Sequence, residues 1–288
     1  MHFLVAKAGC VIPISAFIIT RNEEARLPAA LAALQSWVED ILVVDCGSTD
    51  KTIEIARAMG ARVMHRSWSG YGQQKRFAEQ NCRHDWVLNI DADEVITPAL
   101  AGEIRALFAS GKPPRPSAYR MRILTVYPGD ERPRPYANDY NVVRLYHRAA
   151  GSYRDHALHD RVELTNVVPK QLRAPIYHYS CLSFDHLIEK GNRFSSFSAR
   201  NARPRPSRWL AARLFWEFPV SFFKMYILRR HFTGGWKGFF FALCHASMRT
   251  SRIAKMLELD SGKTKQPAPS RIPGGEPEII TSYSRPAE

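Results

Sequence analysis

Several features are missing from this sequence, and each absence removes a class of protein. There is no C-x-x-C pair and no framework spacing among the five cysteines, which are scattered at 10, 46, 82, 181 and 244. That excludes a disulfide scaffold and reads as reduced thiols in a cytoplasmic protein. The apolar N-terminal residues are interrupted by Lys7 and Pro13 and followed by Arg21, so no signal-peptide hydrophobic region is expected. Lys7-Ala-Gly-Cys10 lacks the upstream apolar run that a lipoprotein cleavage site needs. The longest charge-free run of the aromatic-rich C-terminal third, Gly238 to Met248, is well short of the roughly 20 residues that span a bilayer. No G-x-G-x-x-G turn follows the first apolar run, and no G-x-x-x-x-G-K-[ST] loop occurs, which points away from hydride transfer and ATPase chemistry. Acids are scarce too: from Lys190 to Leu257 the only one is Glu217.

What is abundant is positive charge. Forty-one Lys and Arg stand against 27 Asp and Glu, a net charge of +14, which suggests an anionic partner such as nucleic acid, a membrane surface or a phosphorylated substrate. Against that background, Trp86-Val-Leu-Asn-Ile-Asp-Ala-Asp-Glu94 stands out as an apolar run ending in three carboxylates. Residues two apart in an extended chain point the same way, so Asp91 and Asp93 can aim at one point. Two adjacent anions call for a cation, and a hard ion such as Mg2+ or Mn2+ suits them; the bland reading is an acidic turn capping the next helix.

The chain before this stretch alternates strand and helix. Ile14–Thr20, Ile41–Asp45, Ala61–His65 and Trp86–Ile90 read as strands; helices follow Pro28, run from Gly47-Ser-Thr-Asp50 to a stop at Gly60, and run from Gln73 to Cys82. The alternation predicts an open α/β sheet of parallel strands. Ligands of such sheets gather outside the carboxyl ends of the strands. Thr20–Glu23, Asp45–Asp50 and Asp91–Glu94 would then converge on one crevice, a nucleotide and metal site with a metal-bound nucleoside diphosphate as leaving group.

Ile18-Ile-Thr-Arg-Asn-Glu-Glu24, Val43-Val-Asp-Cys-Gly-Ser-Thr-Asp-Lys-Thr52, Gln74-Lys-Arg76 and Leu88-Asn-Ile-Asp-Ala-Asp-Glu94, in that order, resemble family 2 glycosyltransferases with the Rossmann-like GT-A fold. The similarity extends through Asn141–His147, Leu158–Leu164 and His178-Tyr-Ser180, and is greatest to bacterial lipopolysaccharide inner-core β-1,4-glucosyltransferases. The resemblance implies an inverting, metal-dependent enzyme using a UDP-sugar. Thr20, Asn22 and Glu23 would line the base and ribose pocket, Asp45 would hold the base or ribose through hydrogen bonds, Lys75 would approach the diphosphate, and Asp91 and Asp93 would meet the ribose and the metal. Asp160 would be the catalytic base, standing where relatives resemble it with His-Glu; Asp155 is the substitute, and a surface acid is the competing reading. His178 would lie near the phosphates or the metal, with a structural histidine as the alternative. The Pro-rich loop Tyr127–Tyr136 is a place for acceptor recognition, or a plain surface connection.

The resulting plan is a GT-A catalytic domain over 1–190, basic amphipathic helices over 191–260 that contact an anionic membrane, and a disordered tail over 261–288. A cytoplasmic enzyme, peripheral on the inner face of the Gram-negative cytoplasmic membrane, would glycosylate the lipopolysaccharide core or another lipid-linked acceptor. A peptide or polyprenyl phosphate acceptor stays open. The rival reading, nucleic-acid binding through the Arg and aromatic mixture, leaves the three acidic strand ends unexplained.

Overall fold

The computed structural model describes residues 11–111, 114–115, 117–137, 139–155 and 160–261. These form two compact units, one made of the chain as far as Val126 with Asn138–Ser180, the other of Tyr127–Ala137 with the chain from Cys181. The sequence reading divided the chain at 190 instead; the compact unit ends at Ser180, and the Pro-rich loop groups with the helices. The expected tail beyond 261 lies outside the described residues.

In the first unit, β1 (Ile12–Thr20) is buried at every residue but Pro13, as a central strand covered on both faces must be. Its alternation sorts the two faces. Ile14, Ala16 and Ile18 join the main core with Leu27, Leu31 and Leu34, while Phe17 on the other face meets Tyr153 edge-on at 6.0 Å. β1 lies between β2 (Val38–Asp45) and β4 (Trp86–Asn89), with β3 (Arg62–His65) beyond β2, all parallel. The crossovers carry α1 (Leu27–Ala32), α2 (Thr52–Ala58) and α3 (Tyr71–Gln80). Pro28 sits in the first turn of α1, where its missing N–H costs nothing, and Gly60, at φ 78°, lets the chain leave α2.

This half is the parallel sheet read from the sequence; the other half is not. Next to β4 come β7 (Asp139–His147) and β6 (Ala118–Thr125), antiparallel, then β10 (Lys170–His178), parallel to β6, and finally β5 (Glu94–Ile96), antiparallel to β10. Only residues 90–93 link β4 to β5, yet these strands are fourth and last in the eight-strand order. A flat sheet would hold them roughly 19 Å apart. The link is closed by a turn, Glu94 N–H donating to the Asp91 carbonyl at 2.9 Å, so the strip from β4 to β5 must curl round on itself. Residue Glu94, read as part of an acidic loop, is the first residue of β5. A separate ribbon pairs β8 (Gly151–Tyr153) with β9 (Val162–Leu164), and the segment joining them carries Asp160. After β5, Thr97 caps α4 (Pro98–Phe108), its hydroxyl accepting from Leu100 N–H.

The second unit holds α5 (Phe184–Arg200), α6 (Ser207–Phe223), a π-helical continuation Lys224–Leu228, a 3-10 turn His231–Gly234 and α7 (Gly235–Asp260). α7 packs against both α5 and α6. At Gly238 a Cβ would meet the His231 carbonyl at 1.9 Å, so that close approach requires glycine. The loop Tyr127–Ala137 is tied down within this unit. Arg134 donates to the Tyr127 hydroxyl at 2.9 Å and to the Arg229 carbonyl at 2.9 Å, and the Tyr127 hydroxyl lies 2.6 Å from His231 Nδ1. Burial pushes His231 down to about 3. Among the described residues, no helix is long and apolar enough to cross a membrane.

Candidate active site

The carboxyl ends of β1 and β2 are in register, Thr20 opposite Asp45, and the loops that follow are laced together. Asn22, in the left-handed region at φ 53°, donates its N–H to Ser48 Oγ at 2.9 Å and accepts from Thr49 N–H at 2.8 Å. Glu23 N–H reaches Thr52 Oγ1 at 2.7 Å. Asp45 is fully buried and spends its carboxylate on its own loop, accepting from Gly47 N–H at 2.8 Å, Ser48 N–H at 3.0 Å and the Ser48 hydroxyl. Gly47, at φ 105°, makes that turn possible. Of the four residues expected to line the nucleotide pocket, Thr20, Glu23 and Asp45 are buried and Asn22 is exposed.

Glu23 joins this edge to the acidic turn. Both its oxygens receive Arg26, each at 2.7 Å, and Arg26 lies 3.7 Å from Asp93 Oδ2 and 3.3 Å from the Ser180 carbonyl. Asp93 Oδ2 is also 3.1 Å from His178 Nε2, and the Asp93 carbonyl accepts from Tyr179 N–H at 2.8 Å. His178 is the last residue of β10 and pairs with Glu94 of β5, so the curl of the sheet delivers it to the acidic turn.

Asp91 occupies the other side. Its oxygens lie 2.8 Å from Lys75 Nζ and 2.9 Å from Arg144 Nη2; Arg144 also donates to Glu94 Oε1 at 2.6 Å and to Asn89 Oδ1. Lys75 Nζ lies 2.8 Å from Asp160 Oδ2 as well, with the Tyr153 ring at 5.6 Å. Burial by itself would push the Lys75 ammonium down, but Asp160 and Asp91 outweigh it and hold it well above the lysine range. Burial would raise Asp91; Arg144 and then Lys75 reverse that and hold it down at about 2. For Glu94 burial prevails over Arg144, and its carboxyl lies above the usual range.

Lys75, expected at the diphosphate, is thus wholly enclosed between two carboxylates. It holds Asp160, not Asp155. The Asp160 side chain remains 36% exposed, the most open carboxylate of the group. Three participants had no role assigned from the sequence. Arg144 lies in the Asn141–His147 block and Arg26 and Glu94 beside the acidic clusters; a lone arginine in an apolar strand was the one available signal for Arg144.

Counted at full ionisation among the described residues, these contacts link five carboxylates (Glu23, Asp91, Asp93, Glu94, Asp160) with three permanent cations (Arg26, Lys75, Arg144). That surplus of two negative charges suits a divalent cation. Asp93 and His178 form a usable donor pair, whereas Asp91 is consumed by Lys75 and Arg144. Among the described residues no group of three or more His, Cys, Asp or Glu is arranged to hold a metal. Mg2+ and Mn2+ do not need a full protein cage, because one or two protein ligands with phosphate oxygens and water complete the shell.

Comparison with known proteins is consistent across the chain. The family model described as glycosyl transferase family 2 matches residues 15–113. The chain is 38% identical over 254 residues to the uncharacterized glycosyltransferase RT0209 of Rickettsia typhi, covering 85% of this chain and 87% of that protein. It is 29% identical over 270 residues to the lipopolysaccharide core biosynthesis glycosyltransferase LpsC of Rhizobium meliloti, covering 88% and 95%. Among solved structures, glucosyl-3-phosphoglycerate synthase of Mycobacterium tuberculosis, in complex with Mn2+, UDP and glucosyl-3-phosphoglycerate, shares 25% identity at a TM-score of 0.31 over 41% of this chain. The chain spans less than half the length of that structure, 44%, and a likeness of that extent carries no inference about ligands.

Proposed function

This chain belongs to glycosyl transferase family 2 and has its GT-A α/β fold, and on that premise we propose that it transfers glucose from UDP-glucose to the inner-core heptose of lipopolysaccharide with inversion. The likeness to LpsC over nearly the whole chain supports the acceptor class. The observation that carries the chemistry is the doubly negative network with the partly exposed Asp160 at its rim.

In this reading the acceptor hydroxyl gives its proton to Asp160 as its oxygen bonds to the anomeric carbon; the bond from that carbon to the diphosphate oxygen breaks, and the electron pair leaves with UDP. Lys75 orients Asp160 by holding Oδ2, and Asp91 and Tyr153 hold Lys75. Thr20, Asn22 and Glu23 line the base and ribose pocket, and Asp45 shapes that pocket by fixing the loop at Gly47 and Ser48. Asp93 with His178 would hold Mg2+ or Mn2+, which when bound offsets charge on the departing diphosphate. The acceptor places the enzyme at the inner face of the cytoplasmic membrane.

The test is glucose transfer to truncated core lipopolysaccharide, run beside a peptide and a polyprenyl phosphate. Transfer to the core is expected to be abolished by EDTA, and Asp160→Asn should lower kcat by about 10^3-fold with KM for UDP-glucose little changed. Transfer only to another acceptor would overturn the acceptor, and full activity of Asp160→Asn would overturn the base.

A further inference from the structure

Helix α6 presents two different sides. One stripe, Leu210, Glu217 and Ser221, is buried, and Met225 continues it in the π-helical segment. On the other side, large apolar groups stand exposed at Trp209, Trp216, Val220, Phe223 and Ile227, spacings of 7, 4, 3 and 4 that keep them on one helical face. Phe215 and Leu228 flank them at 79% and 66% exposure, and Trp216 itself is 71% exposed. A soluble surface rarely displays so continuous an apolar patch without using it.

Charge decides what covers it. Arg203, Arg205 and Arg208 at one end of the face, and Lys224, Arg229 and Arg230 at the other, are exposed. The one carboxylate in this stretch, Glu217, is turned inward and held by Arg213 and Arg249, each at 2.7 Å. Along 203–230 the exposed side therefore offers aromatics and cations and no carboxylate of its own; the nearby acid is Asp260, which accepts from the Ser207 hydroxyl at the start of α6. A second copy of the chain docked through the same face would set cations against cations. A leaflet of anionic lipid complements both features, taking the aromatic groups at headgroup depth and the cations at the phosphates.

We propose that the face of α6 and Lys224–Leu228 bearing Trp209, Trp216, Val220, Phe223 and Ile227 lies flat in an anionic membrane surface. Seventeen residues of α6 are too few to cross a bilayer but suffice for a helix lying in its plane. This assignment does not depend on the sugar or the acceptor.

The full chain is tested by co-sedimentation with phosphatidylcholine vesicles, with and without phosphatidylglycerol, and by analytical ultracentrifugation without lipid. Binding is expected only with phosphatidylglycerol, weakened by salt. The exposed pair Trp216→Ser and Phe223→Ser should reduce partitioning at least tenfold, and Arg208→Gln with Lys224→Gln about tenfold or more, each cation near the surface being worth about fivefold. Circular dichroism of each variant should match the parent, since all four side chains are exposed. No binding to anionic vesicles would overturn the proposal, as would binding indifferent to the Trp216 and Phe223 changes. A lipid-free dimer that those changes dissolve, without vesicle binding, would reassign the face to self-association.

Discussion

Two buried aspartates at opposite ends of the same sheet show how structure and site differ. Asp40, near the start of β2, receives Ser15 Oγ at 2.7 Å, Arg62 at 2.7 and 2.9 Å and Arg83 N–H at 3.1 Å. Burial would raise its carboxyl, yet Arg62 and then Ser15 hold it below the usual range. Asp91, beyond the end of β4, is likewise buried and likewise flanked by cations. The surroundings differ. Asp40 is the single acid of its cluster and is fully compensated, whereas Asp91 shares its cations with Glu94 and Asp160 and has Asp93 two residues away. A buried acid with enough partners joins strands together. Acids that share their cations gather negative charge at one point.

The largest expected effect separates the two ends by substitution. Asp93→Asn should lower sugar transfer by about 10^3-fold while leaving the urea midpoint nearly unchanged, because it removes charge from a site already in surplus. Asp40→Asn should do the reverse, costing about 2 kcal/mol in urea unfolding with the kcat of the folded fraction intact. If both lose stability alike, the distinction between them is void. Next, Mn2+ at a hundredfold excess over its Kd, with UDP present, should stabilise the parent by about 2.7 kcal/mol in calorimetry and leave Asp93→Asn unmoved. The smallest effect is a matter of pH. Asp91, held at about 2, contributes stability that is complete above the ordinary carboxylate range and is lost as pH falls toward 2. Glu94 is raised, so its contribution runs the other way, present at low pH and lost as pH climbs through the ordinary range. Glu94→Gln should therefore gain stability relative to the parent on going from pH 4 to pH 7. An unchanged difference across that range would show that the Arg144 bond outweighs the burial of Glu94.

Much of the first hundred residues was legible because the signals there are local. β1 and β2 are apolar runs that end at a hydroxyl and an acid, β4 leads within two residues to Asp91, and Gly47 and Gly60 mark turns that need positive φ. The meeting of the strand ends followed from parallel topology, and the contacts from Asn22 through Glu23 and Arg26 to Asp93 give it physical form. The second half of the sheet was not legible, because the pairing of β5 with β10 joins residues some 80 apart and leaves no local mark. For the same reason Arg144 looked like any charge on a strand, and its role appears only when β7 lies beside β4. Lys75 was read as a phosphate ligand from its motif; its enclosure by Asp91 and Asp160 depends on the ribbon of β8 and β9, which no pattern announced.

The order of strands also sets a timetable for synthesis. Residues 11–96 emerge first and contain every motif of the nucleotide edge, yet β5 has no neighbour until Lys170–His178 has been made. Asp93 waits with it, since Tyr179 N–H and His178 fix its carbonyl and carboxylate. A nascent chain therefore carries Asp93 without these contacts while roughly 85 further residues are made, and the acidic turn is fixed only as the first unit closes.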